Sequence, residues 1–104
     1  MEWIVLILAG ILEIVWAVGL KYTEGFTKIT PSIVTIIAMF LSFWLLSISM
    51  RTLPLSISYA IWTGIGTVGT VIFGIMWLGE SSSVIKIFFI SLILIGILGL
   101  KVSY

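Results

Sequence analysis

Four long apolar runs, at residues 3–20, 32–50, 54–78 and 84–100, constrain this chain more than any other feature of its sequence. At about 1.5 Å of rise per residue, eighteen helical residues cover roughly 27 Å, close to the roughly 30 Å hydrocarbon core of a bilayer. Backbone N–H and C=O groups in lipid must find partners within their own segment, so runs of this length become helices. The chain is 62% hydrophobic with a mean hydropathy of +1.39, and its charge is carried by five Lys or Arg and four Asp or Glu. So little polar surface cannot keep a domain in water. The expected fold is an all-α membrane protein, one domain over residues 1–104 with four transmembrane helices.

The first run does not read as a cleavable signal. Its start carries Glu2 instead of Lys or Arg, the apolar stretch is too long, and no small-residue cleavage site follows. It is expected to remain as a helix. Cys and His are both absent, which removes disulfides, thiolate and imidazole chemistry and most transition-metal sites. No metal, no cofactor and no enzymatic activity are expected, and a net charge of +1 gives no reason to expect nucleic acid as a partner.

The connectors are short. Lys21 to Thr30 contains Gly25 and three charges, and Thr30-Pro31-Ser32 reads as a helix start with Thr30 as cap and Pro31 at the first helical position. Arg51-Thr52-Leu53 is closed by Pro54 at a further helix start, and Gly79-Glu80-Ser81-Ser82-Ser83 forms the third link. Links of this length make neighbouring helices antiparallel and put both termini on one side. That side carries Arg51 and Lys101, the other Lys21, Lys28 and Lys86, which is almost no positive-inside bias. Two readings follow: one weakly specified orientation, or insertion both ways to give an antiparallel pair related by a two-fold axis in the membrane plane.

Within the first run, Glu13 falls near mid-depth, where an ionisable side chain costs at least about 2.5 kcal/mol. Leu6, Gly10, Glu13, Ala17 and Leu20 share its face at 3-4 spacing, and the small residues leave room for a helix or a ligand. Lys21, Lys28, Arg51, Lys86 and Lys101 all lie near helix ends, so no internal cation matches the depth of the acid. A carboxyl so placed holds a proton or a cation but not easily both, which is the minimum apparatus for proton-coupled antiport. Other roles for Glu13 are pairing with a Lys or Arg of a partner protein, or lining an ion channel. One thin four-helix chain does not readily enclose a site, whereas two copies bring two such acids together as a coupled pair.

The remaining polar and aromatic residues form stripes. Thr35, Ser42 and Ser49 recur every seven residues in the second run, with Ser42 at mid-depth. Tyr59, Trp62, Gly66, Gly69 and Phe73 form a seam in the third, with Ser56, Thr63 and Thr70 beside it. Small and hydroxyl residues are the ordinary packing contacts of membrane bundles, which is the plain reading of the lower third helix. Gly64-Ile65-Gly66-Thr67-Val68-Gly69 matches a dinucleotide-binding pattern by letter only, since no strand precedes it; these glycines thin the helix or let it bend. Gly96 and Gly99 in the last run suit contacts between subunits. Trp16, Tyr59 and Trp62 supply ring faces, and Ser42 has a hydroxyl able to orient a carboxylate. A flat cation such as guanidinium, which binds a carboxylate in bidentate fashion and stacks on aromatic rings, suits that set best.

Over its whole length the sequence resembles the small multidrug resistance family. The resemblance is carried by Gly10-Ile11-Leu12-Glu13-Ile14-Val15-Trp16-Ala17, Leu20-Lys21-Tyr22, Gly25-Phe26-Thr27, Pro31-Ser32, Ser42-Phe43-Trp44-Leu45-Leu46 and Tyr59-Ala60-Ile61-Trp62-Thr63-Gly64-Ile65-Gly66. It implies an antiparallel dimer in the bacterial inner membrane whose Glu13 carboxylates exchange protons for cationic substrate. Gly10 and Trp16, flanking the acid, resemble the guanidinium-exporter subtype; exporters of quaternary ammonium compounds typically have Ala and Gly there. By position, Trp16, Ser42, Tyr59 and Trp62 would surround Glu13. The resemblance also implies a bend in the early third helix beside a lateral opening to lipid. The serine-rich third connector departs from the family pattern, with Glu80 expected at the interface, solvated or capping the next helix. The expected activity is proton-coupled export of guanidinium and small substituted guanidines, by a homodimer or with a sister subunit. A broader quaternary ammonium exporter, a passive dual-topology channel and a membrane assembly subunit are the alternatives.

Overall fold

A computed structural model describes residues 2–103, which form four helices: α1 Glu2–Tyr22, α2 Ile29–Ser49, α3 Leu55–Trp77 and α4 Val84–Ser103. Each is long and apolar enough to cross a membrane. No strand occurs among the described residues.

Contacts between helices give their directions. Gly19 of α1 lies against Thr35 of α2, and Ala9 against Ser42, so the two run antiparallel. Gly10 meets Ile65, Glu13 meets Gly66 and Ile14 meets Gly69, so α1 and α3 run parallel. Gly64 of α3 meets Ile97 of α4, which returns antiparallel. In space α1 lies between α2 and α3, and α4 packs on α3. The body measures 41 × 35 × 17 Å. Its thin dimension is less than two helix diameters of about 10–12 Å. Such a slab has no interior in the globular sense: the core is a seam of Leu6, Ala9, Leu46, Leu53, Ile61 and Trp62, and α4 contains no buried residue.

Two helix ends differ most from the expectation, and α1 also runs on to Tyr22. The second helix begins at Ile29, with Lys28 and not Thr30 as N-cap and no side-chain cap bond. Pro31 therefore occupies the third helical position. The first four N–H groups of a helix have no intrahelical acceptor, so a residue without an N–H fits anywhere in that turn. The N–H of Ser32 then donates to Lys28 O at 3.1 Å. The fourth helix runs to Ser103, past the expected end at residue 100, because Lys101 in its last turn carries a charge that suits a helix C-terminus.

The connectors are closed by backbone geometry. Thr23, buried, donates from Oγ1 to Leu20 O at 2.8 Å and accepts from Phe26 N at 3.3 Å, while Glu24, Gly25 and Phe26 all have positive φ. At the end of α3 the Gly74 carbonyl accepts the N–H of both Leu78 (3.1 Å) and Glu80 (3.0 Å), with Gly79 at φ +71° making the turn. Glu80 folds its carboxylate against Gly74 and pairs with Lys86 of α4 at 3.8 Å. It is an ion-paired link between α3 and α4.

At Gly10, α3 comes close to α1 through side-chain atoms next to its backbone. A Cβ there would stand 2.7 Å from Ile65 Cγ2 and 2.8 Å from Ile65 Cβ, and the latter moves only if the helix moves. Gly10→Ala is expected to lower stability by about 1–3 kcal/mol, as overpacking does. Adding Ile65→Ala should recover part of that loss. Thermal unfolding in detergent, read as a double-mutant cycle, checks both.

Candidate functional site

Glu13 sits near the middle of α1, about 14–16 Å along the axis from either end. Its side chain lies directly on the backbone of Gly66 in α3. A Cβ on Gly66 would fall on Glu13 Oε1 and Cδ, with Cγ at 2.7 Å, so the acid can occupy this place only beside a glycine. Oε1 is buried and has no hydrogen-bond partner among the described residues, while the residue as a whole is half-buried. The ion pairs described are Lys28–Glu24 at 3.6 Å and Lys86–Glu80 at 3.8 Å, both in or next to connectors. No described cation pairs with Glu13.

An aromatic cluster stands one turn away. Trp16 is three residues after Glu13, and its ring centroid lies 6.4 Å from Trp62 and 6.0 Å from Phe43. Phe43 reaches Trp62 edge-on at 6.0 Å, and Tyr59 lies 5.6 Å from Trp62. Such spacings are those of interacting ring pairs. Trp62 is buried at 6% exposure and anchors the group, whereas Tyr59 at 54% and Phe43 at 45% present open ring surface. The Nε1 of Trp16 is also buried without a hydrogen-bond partner among the described residues. A half-covered carboxylate thus adjoins a set of π faces, an arrangement able to attract a flat or compact organic cation.

Ser42 is committed elsewhere. Its Oγ donates to Ala9 O at 2.7 Å and accepts from Trp62 Nε1 at 3.0 Å. This chain ties α1, α2 and α3 together at the depth of the site, and it holds the Trp62 ring instead of touching the Glu13 carboxylate.

Residues 1–93 match the Small Multidrug Resistance protein family. The chain belongs to that family. Guanidinium exporters of Citrobacter freundii and Salmonella typhimurium are each 59% identical to it over 103 residues, covering 99% of this chain and 98% of theirs. One from Proteus vulgaris is 57% identical over 103 residues, covering 99% of both chains. With four membrane-crossing helices, this small multidrug resistance protein is a multi-pass transport protein of the bacterial inner membrane.

Of the site residues named from the sequence of this family member, Trp16, Tyr59 and Trp62 come together, with Ser42 behind Trp62, while Glu13 lies against Gly66 one turn before Trp16. Gly10 is one turn below Glu13 and is filled by Ile65. The three glycines of α3 separate by face: Gly64 takes Ile97 of α4, Gly66 takes Glu13, and Gly69 takes Ile14. Gly96 and Gly99 have nothing within 4 Å of their would-be Cβ atoms and lie on the open side of α4. Phe43 was not singled out by periodicity. It falls one residue off the Thr35, Ser42 and Ser49 stripe, and its only trace in the sequence is the Ser42-Phe43-Trp44 run that carries the family resemblance.

Ser42→Ala would leave the Trp62 indole N–H without its partner and remove the interhelical bond to the Ala9 carbonyl, which keeps only its own helix bond. Interhelical hydrogen bonds in membranes contribute about 0.6–2 kcal/mol each, so a loss of about 1–3 kcal/mol is expected. The checks are thermal unfolding in detergent and a shift of tryptophan fluorescence that Ser42→Thr should largely prevent.

Proposed function

We propose that this protein exports guanidinium and small substituted guanidinium cations in exchange for protons, by alternating access in an antiparallel dimer. The carrying observation is Glu13: a mid-span carboxylate beside Gly66 that no described cation pairs with, one turn along α1 from a cluster of four aromatic rings. The names of the relatives, guanidinium exporters at 57–59% identity, support the same substrate.

An isolated carboxylate in hydrocarbon is expensive, and a proton or a bound cation removes that expense equally well. Each therefore displaces the other. Protons arriving from the outer face release the guanidinium, and guanidinium arriving from the inner face releases the protons. Guanidinium is planar, with N–H donors in a fork that matches a carboxylate, and its face stacks on Trp16, Trp62 or Tyr59. Quaternary ammonium ions lack those donors and keep only the Coulomb and ring contributions. The open ring surface of Phe43 and Tyr59 nevertheless offers apolar substituents a place, which favours some overlap with such compounds.

The thin body of one chain supports the second copy. Glu13 is only half-covered, and a partner laid on that side closes the site and adds its own carboxylate. The near balance of Lys and Arg between the two membrane faces suits two opposite insertions. The open flank of α4 at Gly96 and Gly99 is a natural contact for the partner, whether a second copy or a sister subunit.

Glu13→Gln is expected to abolish guanidinium-driven proton movement in proteoliposomes while leaving insertion and dimerisation intact. Solid-supported-membrane currents with guanidinium and tetraalkylammonium pulses, at several pH values on each side, read this directly. Coupled transport retained by the variant removes Glu13 from the mechanism. Large currents without proton exchange would identify a channel, and absence of any cation response an assembly subunit.

A further inference from the structure

The contact between α3 and α4 is uneven along its length. At Gly64 the two helices touch: a Cβ there would stand 2.6 Å from Ile97 Cδ1 and 3.7 Å from Ile93 Cγ2. Two turns further along α3 they no longer do. A cavity of about 270 Å³ opens between them, walled by Val71, Ile72 and Ile75 of α3 and by Ile87, Ile90 and Ser91 of α4. The Glu80–Lys86 ion pair joins the helices again next to its connector end.

This cleft offers nothing to a polar ligand. Its side chains are apolar except that of Ser91, whose hydroxyl donates to Ile87 O at 2.8 Å within its own helix. Both walls belong to membrane-crossing helices, so the material that reaches the cleft is hydrocarbon. An apolar cavity of about 150 Å³ holds a benzene ring, and this one takes a longer run of carbons. In lipid no hydrophobic gain drives a chain inward; contact does. A methylene lying in the cleft meets atoms of two helices, whereas an empty cleft forfeits those contacts on its open side. From Val71 to Ile75 the wall runs about 6 Å along α3, which suits a linear occupant aligned with the helices.

The other material able to cover this face is a second copy of the chain. Gly96, the open position of α4 that suits a partner, comes nine residues after Ile87. At 3.6 residues per turn that is two and a half turns, on the opposite side of α4. The partner contact read there, which rests on the proposed dimer, leaves the cleft facing lipid. The cleft is also continuous with the open flank of both helices, since Ile72, Met76 and Ile87 line it and are exposed.

We propose that the α3–α4 cleft is a binding site for one acyl chain of a membrane phospholipid. The chain completes the contact between two helices that otherwise meet at Gly64 and at the Glu80–Lys86 pair, and it holds the second half of α3 at its distance from α4. This gives α4, which contains no buried residue, its missing cover on that side.

The test uses the full chain in phosphatidylcholine nanodiscs that contain a small share of the same lipid with a photoreactive diazirine in one acyl chain. Adducts are located by fragment mass spectrometry. Half-buried Ile75 and Ile90 are compared with Ile33 and Ile37 of α2, which are more exposed and lie at similar depth from the same membrane face. Labelling of Ile75 and Ile90 is expected to exceed that of Ile33 and Ile37 severalfold. Ser91→Phe, which places a ring in the cleft, should lower it by about fivefold or more, the scale of about five to ten lost carbon contacts, and leave Ile33 unchanged. Val71→Phe fills the cleft from the other wall and should do the same, with circular dichroism checking that both variants fold. Labelling of Ile75 and Ile90 at or below that of Ile33 in the unmodified chain overturns the proposal without recourse to any variant. Unchanged labelling in a folded Ser91→Phe overturns it too. Loss of dimer in either variant by native mass spectrometry also overturns it, assigning the cleft to a second copy. None of these readouts involves transport, so the result is separate from that of the exporter reading.

Discussion

The structure depends on one constraint: a carboxylate at mid-span must be housed where no described cation pairs with it. Gly66 is the answer α3 provides. Any side chain there would occupy the place of Glu13 Oε1 and Cδ, so the acid and the glycine define the separation of α1 and α3 together. The cost of the acid, at least about 2.5 kcal/mol, must be carried by packing around it. That packing is α1 itself, flanked by α2 on one side and α3 on the other, with Leu6 and Ala9 at 0% exposure one to two turns below.

Close approach by small residues is how a bundle coheres in lipid, where no hydrophobic force drives helices together. Here the small residues of α3 are sorted by direction. Gly66 and Gly69 admit α1, Gly64 admits α4, and Gly74 admits the carboxylate of Glu80 that pairs with Lys86. In sequence the first three form one glycine-rich run. The run looks like a single device, yet it is three contacts on two faces of the same helix. A helix this thin can lie between two neighbours, which is why α3 is the element to which both α1 and α4 attach.

Much of this could be read in the residues alone, because bilayer thickness leaves so few options. Four spans follow from run length, and the Thr35, Ser42 and Ser49 stripe follows from seven-residue spacing; all three residues are fully buried. The isolation of Glu13 from Lys and Arg follows from depth. What could not be read depends on partners that spacing does not identify. The hydroxyl of Ser42 is at the depth of the acid, but a helix carbonyl in lipid is also an acceptor, and Ala9 O took its proton. Phe43 joins the aromatic cluster through the rotation of α2 against α1, which no periodicity encodes. The start of α2 moved to Ile29 because a proline is indifferent among the first-turn positions.

The commitment of Ser42 bears on how Glu13 can be satisfied. Had the hydroxyl donated to the carboxylate, the acid would possess a permanent neutral partner and less reason to bind anything else. Instead the hydroxyl bridges Ala9 O and Trp62 Nε1, and without it the indole N–H would lose its acceptor in an apolar medium. The donor is spent on the Ala9 carbonyl while the oxygen holds the Trp62 ring, and Glu13 Oε1 keeps no partner among the described residues. Two demands at one depth, a rigid aromatic wall and an unsatisfied acid, are thereby met by the same hydrogen bonds. An acid left in that condition accepts whichever positive species reaches it, and the fixed rings beside it favour one that is flat.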